Sequence, residues 1–290
     1  MPRPLREATT YLALAFSVAI GVAVSMPHAG INVLLTAFAP ITALLIITFT
    51  TTPRGRRRAL WGEFGLKRSG KHTWVSALTV PMLVAGSAYG AALLLDVANL
   101  RDIDVTASGV AEWSLNLMLT LAFMTVLFLA EELGWRGYLL PRIQQLTSRR
   151  RAALATGFVH GCFHLPLVLV ATTYDEHGSR WLVAPVVVAT ITMGGVFYAY
   201  LWDRTHSVWP VAMGHGAVNT AFGIGAGAVA ATSEADLAYV AGESGLATFA
   251  AVAVVGVVLL ARARVWRTDT SLGSVPEREL GRVAYDLRSS

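Results

Sequence analysis

The chain has 290 residues, of which 54% are hydrophobic and 14% are charged, and its mean hydropathy is +0.55. The apolar residues come in long blocks, a composition that excludes a water-soluble globular domain and indicates a multi-pass membrane protein. The formal net charge of +5 does not require a nucleic-acid partner, because the basic residues flank the apolar blocks, where they face lipid headgroups.

Eight transmembrane helices are predicted, because about 18 or more apolar residues are needed to cross a hydrocarbon core of about 30 Å. The predicted spans lie near residues 9–27, 31–50, 74–95, 114–140, 152–172, 182–202, 208–230 and 245–263. The fold class is therefore an all-α polytopic membrane helical bundle. Residues 1–263 form one membrane domain, and residues 264–290 form a polar cytoplasmic tail.

The distribution of basic residues supports this segmentation. If the N-terminus is cytoplasmic, all 23 basic residues except Arg101, Arg136 and Arg180 fall in cytoplasmic segments. This alternation is what the positive-inside bias predicts for eight spans with both termini in the cytoplasm. The basic run from Arg54 to Lys71 is predicted to anchor the protein on an anionic inner leaflet of the cell membrane.

Three charged residues, Glu131, Glu132 and Arg136, lie near the inner end of the predicted fourth span. An ionisable residue at the centre of a spanning helix costs roughly 2.5 to 3.5 kcal/mol, so such residues usually mark a functional site. Glu132 and Arg136 are four residues apart and can form an ion pair, which lets Arg136 extend toward the membrane interface. Glu131 points about 100° away and has no partner on its own helix, which suits a general base.

Two later spans carry polar side chains at a similar depth. His164 lies in the predicted fifth span, and His215 and Asn219 share one face of the seventh. Gly214 and Gly216 flank His215 and predict room for a substrate or for water. We therefore expect one buried polar site. The alternative is a polar network that only holds the helices together, but polar contacts between membrane helices contribute only about 0.6 to 2 kcal/mol each.

Three short motifs carry a resemblance to a known family. EELGWR at 131–136, FHLPL at 163–167 and HGAVN at 215–219 follow one another in order. They resemble the motifs EExxxR, aromatic-xxx-His and HxxxN of the CPBP family, the CAAX proteases and bacteriocin-processing membrane proteins also called Abi proteins. The resemblance covers about residues 110–225.

The resemblance implies an intramembrane endopeptidase that hydrolyses a membrane-associated peptide or protein. In the family pattern Glu131 activates water, Glu132 and Arg136 structure the site, and Asn219 stabilises the oxyanion. This chemistry needs a carboxylate base, donors for the developing oxyanion, and a cavity that admits water, which we expect to open on the cytoplasmic side.

The resemblance also leaves the role of a metal open. His164 and His215 would either orient the water or, together with Glu131, hold a Zn²⁺ ion, and a metal-free glutamate mechanism is the alternative. The chain has His160 where family members commonly have Phe or Trp. His160 is one helical turn from His164, and a hydrogen-bonded neighbour is favoured over a third metal ligand.

Two functions other than proteolysis fit the same residues. A non-catalytic scaffold or chaperone would keep the motifs without turnover. A proton-coupled transporter would use the buried carboxylates as a relay and would need a path to both membrane faces. The sequence does not identify the substrate.

Overall fold

A computed structural model describes residues 1–102, 106–171 and 178–267. The predicted tail is therefore described only as far as residue 267, and the rest of it lies outside the described residues. The helices are α1 (Arg3–Ser25), α2 (Ile31–Ala37), α3 (Ala39–Ile46), α4 (Arg54–Gly62), α5 (Trp74–Leu94), α6 (Ala107–Glu132), α7 (Leu140–Gln144), α8 (Arg149–Phe163), α9 (Leu165–Leu169), α10 (Arg180–Thr205), α11 (Trp209–Ala228), α12 (Glu234–Val240) and α13 (Leu246–Arg262).

The helices form an all-α polytopic bundle, as predicted. Within the described residues, six helical segments are long and apolar enough to cross a membrane. They are Arg3–Ser25, Ile31–Thr51, Lys71–Leu94, Ala107–Gln144, Arg149–Leu169 and Arg180–Thr205. The other two predicted spans correspond to α11, with 20 residues, and α13, with 17. The number of eight spans and the positions of the termini remain predictions.

Several spans are interrupted rather than continuous. The segment Leu133–Leu139, which follows α6, is a π-helix, and the segment Ile47–Thr51, which follows α3, is another. The helix of the predicted fifth span breaks at His164, between α8 and α9. Pro166 lies in the first turn of α9, where its missing amide hydrogen is tolerated, so the chain restarts as a new helix there.

Ion pairs and hydrogen bonds identify one end of the bundle. Arg142 pairs with Glu7 at 3.0 Å and with Glu63 at 3.5 Å. Gln144, two residues after Arg142, donates its amide hydrogen to Asp203 at 2.9 Å, and the indole nitrogen of Trp266 donates to the same carboxylate at 2.7 Å. These residues therefore lie at the same end, which we call the arginine-rich end.

A short antiparallel ribbon marks the opposite end. β1 (Ala98–Leu100) pairs with β2 (Val229–Ala231), and the Nε of Arg101 donates to the carbonyl oxygen of Val229. The ribbon joins the segment after α5 to the segment after α11. We call this end the ribbon end.

Glycines allow the close helix contacts that position the site. A Cβ atom at Gly157 on α8 would lie 2.5 Å from the carbonyl oxygen of Thr192 on α10. A Cβ atom at Gly216 on α11 would lie 2.8 Å from the backbone nitrogen of Thr125 on α6. The open space predicted beside His215 is therefore occupied by α6 at Gly216. The close contact at Gly216 packs α11 against α6, the helix that carries Glu132, the partner of His215.

Candidate active site

Glu132 is the centre of a buried ion-pair network. Both of its carboxylate oxygens accept from the Nη1 of Arg136 at 3.0 Å, and the side chains of both residues are 0% exposed. The Nδ1–H of His215 donates to Oε1 of Glu132 at 2.8 Å. The predicted pairing of Glu132 with Arg136 is therefore confirmed.

Arg136 does not extend to the membrane interface, and that part of the prediction is wrong. Its guanidinium lies over the ring of Tyr198, 4.9 Å from the ring centroid, within the bundle. The physical reason is that buried acceptors and an aromatic face are available at its own depth. Glu132 and His160 supply those acceptors, so the side chain does not need the interface.

His160 links the two carboxylates through Arg136. The Nη1 of Arg136 lies 3.2 Å from Nδ1 of His160, and Nε2 of His160 lies 3.3 Å from Oε2 of Glu131. A guanidinium only donates, so Nδ1 must accept, and the ring hydrogen is then on Nε2 and is donated to Glu131. His160 is therefore a neutral, hydrogen-bonded neighbour of Glu131. The indole of Trp135 stacks on its ring at 4.7 Å.

Aromatic rings fix the orientation of His215. Its ring is stacked between Phe128, at a centroid distance of 3.9 Å, and Tyr198, at 5.4 Å. Because Nδ1–H is donated to Glu132, Nε2 carries the lone pair in the neutral imidazole. Phe128 and Tyr198 were not predicted, since an aromatic residue inside an apolar span gives no signal in the sequence.

His164 and Asn219 are the remaining two residues of the predicted site. His164 lies at the junction of α8 and α9, where its Nδ1–H donates to the carbonyl oxygen of His160 at 3.0 Å. The amide nitrogen of Asn219 donates one hydrogen to the carbonyl oxygen of His215 at 3.1 Å. An amide nitrogen has two hydrogens, so Asn219 retains a second donor.

Two cavities bring these residues together. A cavity of about 590 Å³ is lined by Glu131, His164, His215 and Asn219, among others. A second cavity, of about 110 Å³, is lined by the same two histidines and Asn219. Polar side chains from three separate helical segments therefore face common space, and Glu132 with Arg136 lies behind them.

The cavities extend toward the ribbon end. The larger one is lined also by the start of α2 and by residues 241–244, which precede α13. The segment Leu133–Leu139, which leads from the site toward the arginine-rich end, is completely buried. The opening of the site toward the cytoplasm stays a prediction.

The described side chains, as they stand, do not form a ligand group for Zn²⁺, which is one of the two alternatives that the sequence leaves open. Among the residues that the structure describes, no three or more His, Cys, Asp or Glu side chains are grouped so that they could hold a metal ion. Both ring nitrogens of His160 are already engaged, one with Arg136 and the other with Glu131.

The fold and the site together define a class of protein. The chain is a multi-pass integral membrane protein with a buried carboxylate–imidazole site among its helices. Residues 112–221 match a family model described as type II CAAX prenyl endopeptidase Rce1-like. This match supports membership in the CAAX-protease (CPBP) family and a CAAX-protease-type endopeptidase function. No curated protein matches the chain.

The matched segment contains the full candidate set. It begins in α6 and ends in α11, so it includes the six residues predicted from the motifs. These are Glu131, Glu132, Arg136, His164, His215 and Asn219.

Proposed function

We propose that the protein is an intramembrane endopeptidase in which Glu131 is the general base. The observation that carries this proposal is that Glu131, His164, His215 and Asn219 line one cavity within a membrane bundle. A carboxylate that faces such a cavity can take a proton from water, and the imidazole of His215, whose Nδ1–H is donated to Glu132, can orient that water through its Nε2 lone pair.

The reaction proceeds in two steps. The oxygen of water attacks the scissile carbonyl carbon while its proton moves to Glu131, and the carbonyl oxygen becomes an oxyanion. The second amide hydrogen of Asn219 stabilises this oxyanion. The carbon–nitrogen bond then breaks, and Glu131 returns the proton to the leaving amine.

Glu132 and Arg136 position the reacting groups rather than react themselves. Glu132 holds His215 through Nδ1, and Arg136 holds His160, which in turn donates to Glu131. A displacement of about 1 Å at a reacting group can lower the rate about 100-fold, so such support affects the reaction directly.

The proposed substrate is a membrane-associated peptide or protein with an apolar segment. Much of the smaller cavity wall is aliphatic, with Val187, Ile191, Val218 and Val252 among its lining residues. An apolar wall of this kind favours an apolar chain over a hydrated one.

The test is the substitution Glu131→Gln, which keeps the shape of the side chain and removes the base. The matched control is Glu112→Gln, which makes the same chemical change at an exposed position of the same helix. Membrane peptides of cells that produce each variant are identified by mass spectrometry. We expect cells that produce the wild type or Glu112→Gln to contain peptide termini that are absent from cells without the protein. These termini should also be absent from cells that produce Glu131→Gln.

Termini that persist in Glu131→Gln would contradict the proposal. A scaffold or chaperone function predicts that outcome together with an unchanged phenotype of the cells. Levels of each variant in the membrane are compared first, so that loss of the protein is not read as loss of activity.

A further inference from the structure

A cavity separate from the candidate active site lies at the arginine-rich end. It has a volume of about 790 Å³ and lies between α1, the Ile47–Thr51 segment, α4 and the start of α7. The charged side chains that line it are Arg3, Arg6, Glu7, Arg56, Glu63 and Arg142.

The acidic residues of this cavity are already neutralised. Glu7 accepts from Arg3 at 2.7 Å and from Arg142 at 3.0 Å, and Glu63 lies 3.5 Å from Arg142. Arg142 is itself buried, donates to the carbonyl oxygen of Tyr138 and lies over its ring at 3.6 Å. The two glutamates therefore fix Arg142 in the cavity floor and leave the cavity with an excess of positive charge.

Two arginines supply that excess. The side chains of Arg6 and Arg56 make no hydrogen bond or ion pair with any residue in the described part of the chain. Arg6 lies on α1 and Arg56 lies on α4. Both residues line the same cavity, each from a different helix. Guanidinium groups bind phosphate through paired, charge-assisted hydrogen bonds.

The surroundings indicate a ligand with an apolar part. The cavity lies where α1 begins and the Ile31–Thr51 segment ends, at one surface of the membrane bundle. Large apolar side chains beside it are exposed at Leu5, Ile46 and Phe49. Acyl chains would cover these side chains while a headgroup occupies the charged cavity.

We propose that this cavity binds the phosphate of an anionic phospholipid headgroup through Arg6 and Arg56. Neither arginine belongs to the candidate active site. Tyr138 and Arg142, which line the cavity, lie on the chain segment that directly follows Arg136, so the bound lipid contacts the same stretch of chain as the active-site network.

The experiment compares two double variants of the full chain in detergent. Arg6→Ala/Arg56→Ala removes both proposed contacts, and Arg54→Ala/Arg58→Ala removes two exposed arginines of α4 that do not line the cavity. Both variants lose the same charge. The binding of phosphatidylglycerol and of phosphatidylcholine is measured by native mass spectrometry over a range of lipid concentrations.

We expect phosphatidylglycerol to bind the wild type more tightly than phosphatidylcholine does. Arg6→Ala/Arg56→Ala should weaken phosphatidylglycerol binding about 30-fold, the effect of two basic residues at an anionic surface. Arg54→Ala/Arg58→Ala should bind phosphatidylglycerol within about twofold of the wild type, because the two arginines that it lacks do not line the cavity. Equal weakening in both variants, or none in the first, would overturn the proposal.

A competition arm distinguishes the two sources of phosphate. Inorganic phosphate is added to the wild-type complex with phosphatidylglycerol. If it displaces the lipid, the cavity recognises the phosphate group by itself. If the lipid stays bound, the acyl chains contribute, and the whole lipid is the ligand. Retention of the lipid supports the proposal, whereas displacement by inorganic phosphate at a concentration equal to that of the lipid would overturn the assignment of a phospholipid as the ligand.

Discussion

Replacing Arg136 by methionine tests the buried ion pair directly. Methionine keeps much of the length of the side chain but removes its charge, so Glu132 keeps His215 as a donor and loses both contacts of 3.0 Å to Arg136. Both partners of the ion pair are 0% exposed. Removing one partner of a buried pair costs about 3–5 kcal/mol, because the other charge is left uncompensated.

The chain offers a matched control for this substitution. Arg3 and Glu7 form an ion pair with the same spacing of four residues, but the side chain of Arg3 is 69% exposed. Arg3→Met should leave the free energy of unfolding unchanged within error, since exposed pairs contribute little. The free energy is measured for both variants in lipid bicelles by titration with SDS, followed by circular dichroism.

A double variant separates the ion pair from other contacts of Arg136. Glu132→Gln/Arg136→Met removes both charges, so it should lose less free energy than the sum of the two single variants. Strict additivity would show that the two side chains do not stabilise each other. The reasoning is also refuted if Arg136→Met loses no more free energy than Arg3→Met.

Two further predictions concern His160 and the contact between α8 and α10. His160→Phe removes the hydrogen bonds to Arg136 and to Glu131. Because only the bond to Glu131 reaches the proposed base directly, we expect kcat/KM to fall about tenfold, the loss of one hydrogen bond to a charged group. His164→Phe should lower it about 100-fold or more, and equal losses in a peptide-cleavage assay would place His160 among the reacting groups. Gly157→Ala should destabilise the protein by about 1–3 kcal/mol, because its methyl group meets the backbone of Thr192. Gly86→Ala, which adds its methyl group to open space, should not destabilise it, and equal unfolding curves in SDS for the two variants would contradict this account.

The sequence predicts the bundle well because hydrocarbon length and composition determine it. Its local interruptions are harder to predict. The predicted span 114–140 is an α-helix as far as Glu132 and a π-helix over Leu133–Leu139, and hydropathy along the chain does not distinguish these two helical forms. Hydropathy likewise does not detect the break at His164, because the residues on both sides of it are apolar.

The residues of the candidate site stand out in the sequence because polar groups are costly in apolar spans. Their mutual geometry is not accessible from one helix at a time. Spacing within α6 shows that Glu132 can pair with Arg136, but the partners of Glu131 and Arg136 on α8 are set by helix packing. For that reason the sequence places Arg136 at the interface, whereas the structure holds it beside His160.

The position of Arg136 has a consequence for the movement of protons. A guanidinium keeps its hydrogens, so His160 accepts at Nδ1 and has no vacant position there for another proton. A proton that reaches Glu131 from the cavity therefore cannot be handed across His160 to the far side of the bundle. In the proposed mechanism this proton leaves Glu131 on the cavity side, when the leaving amine takes it. The hydrogen-bond network therefore provides no route for protons through His160 across the bundle. This property is compatible with hydrolysis in one cavity. It disfavours a proton pump, which must connect the two faces of the membrane.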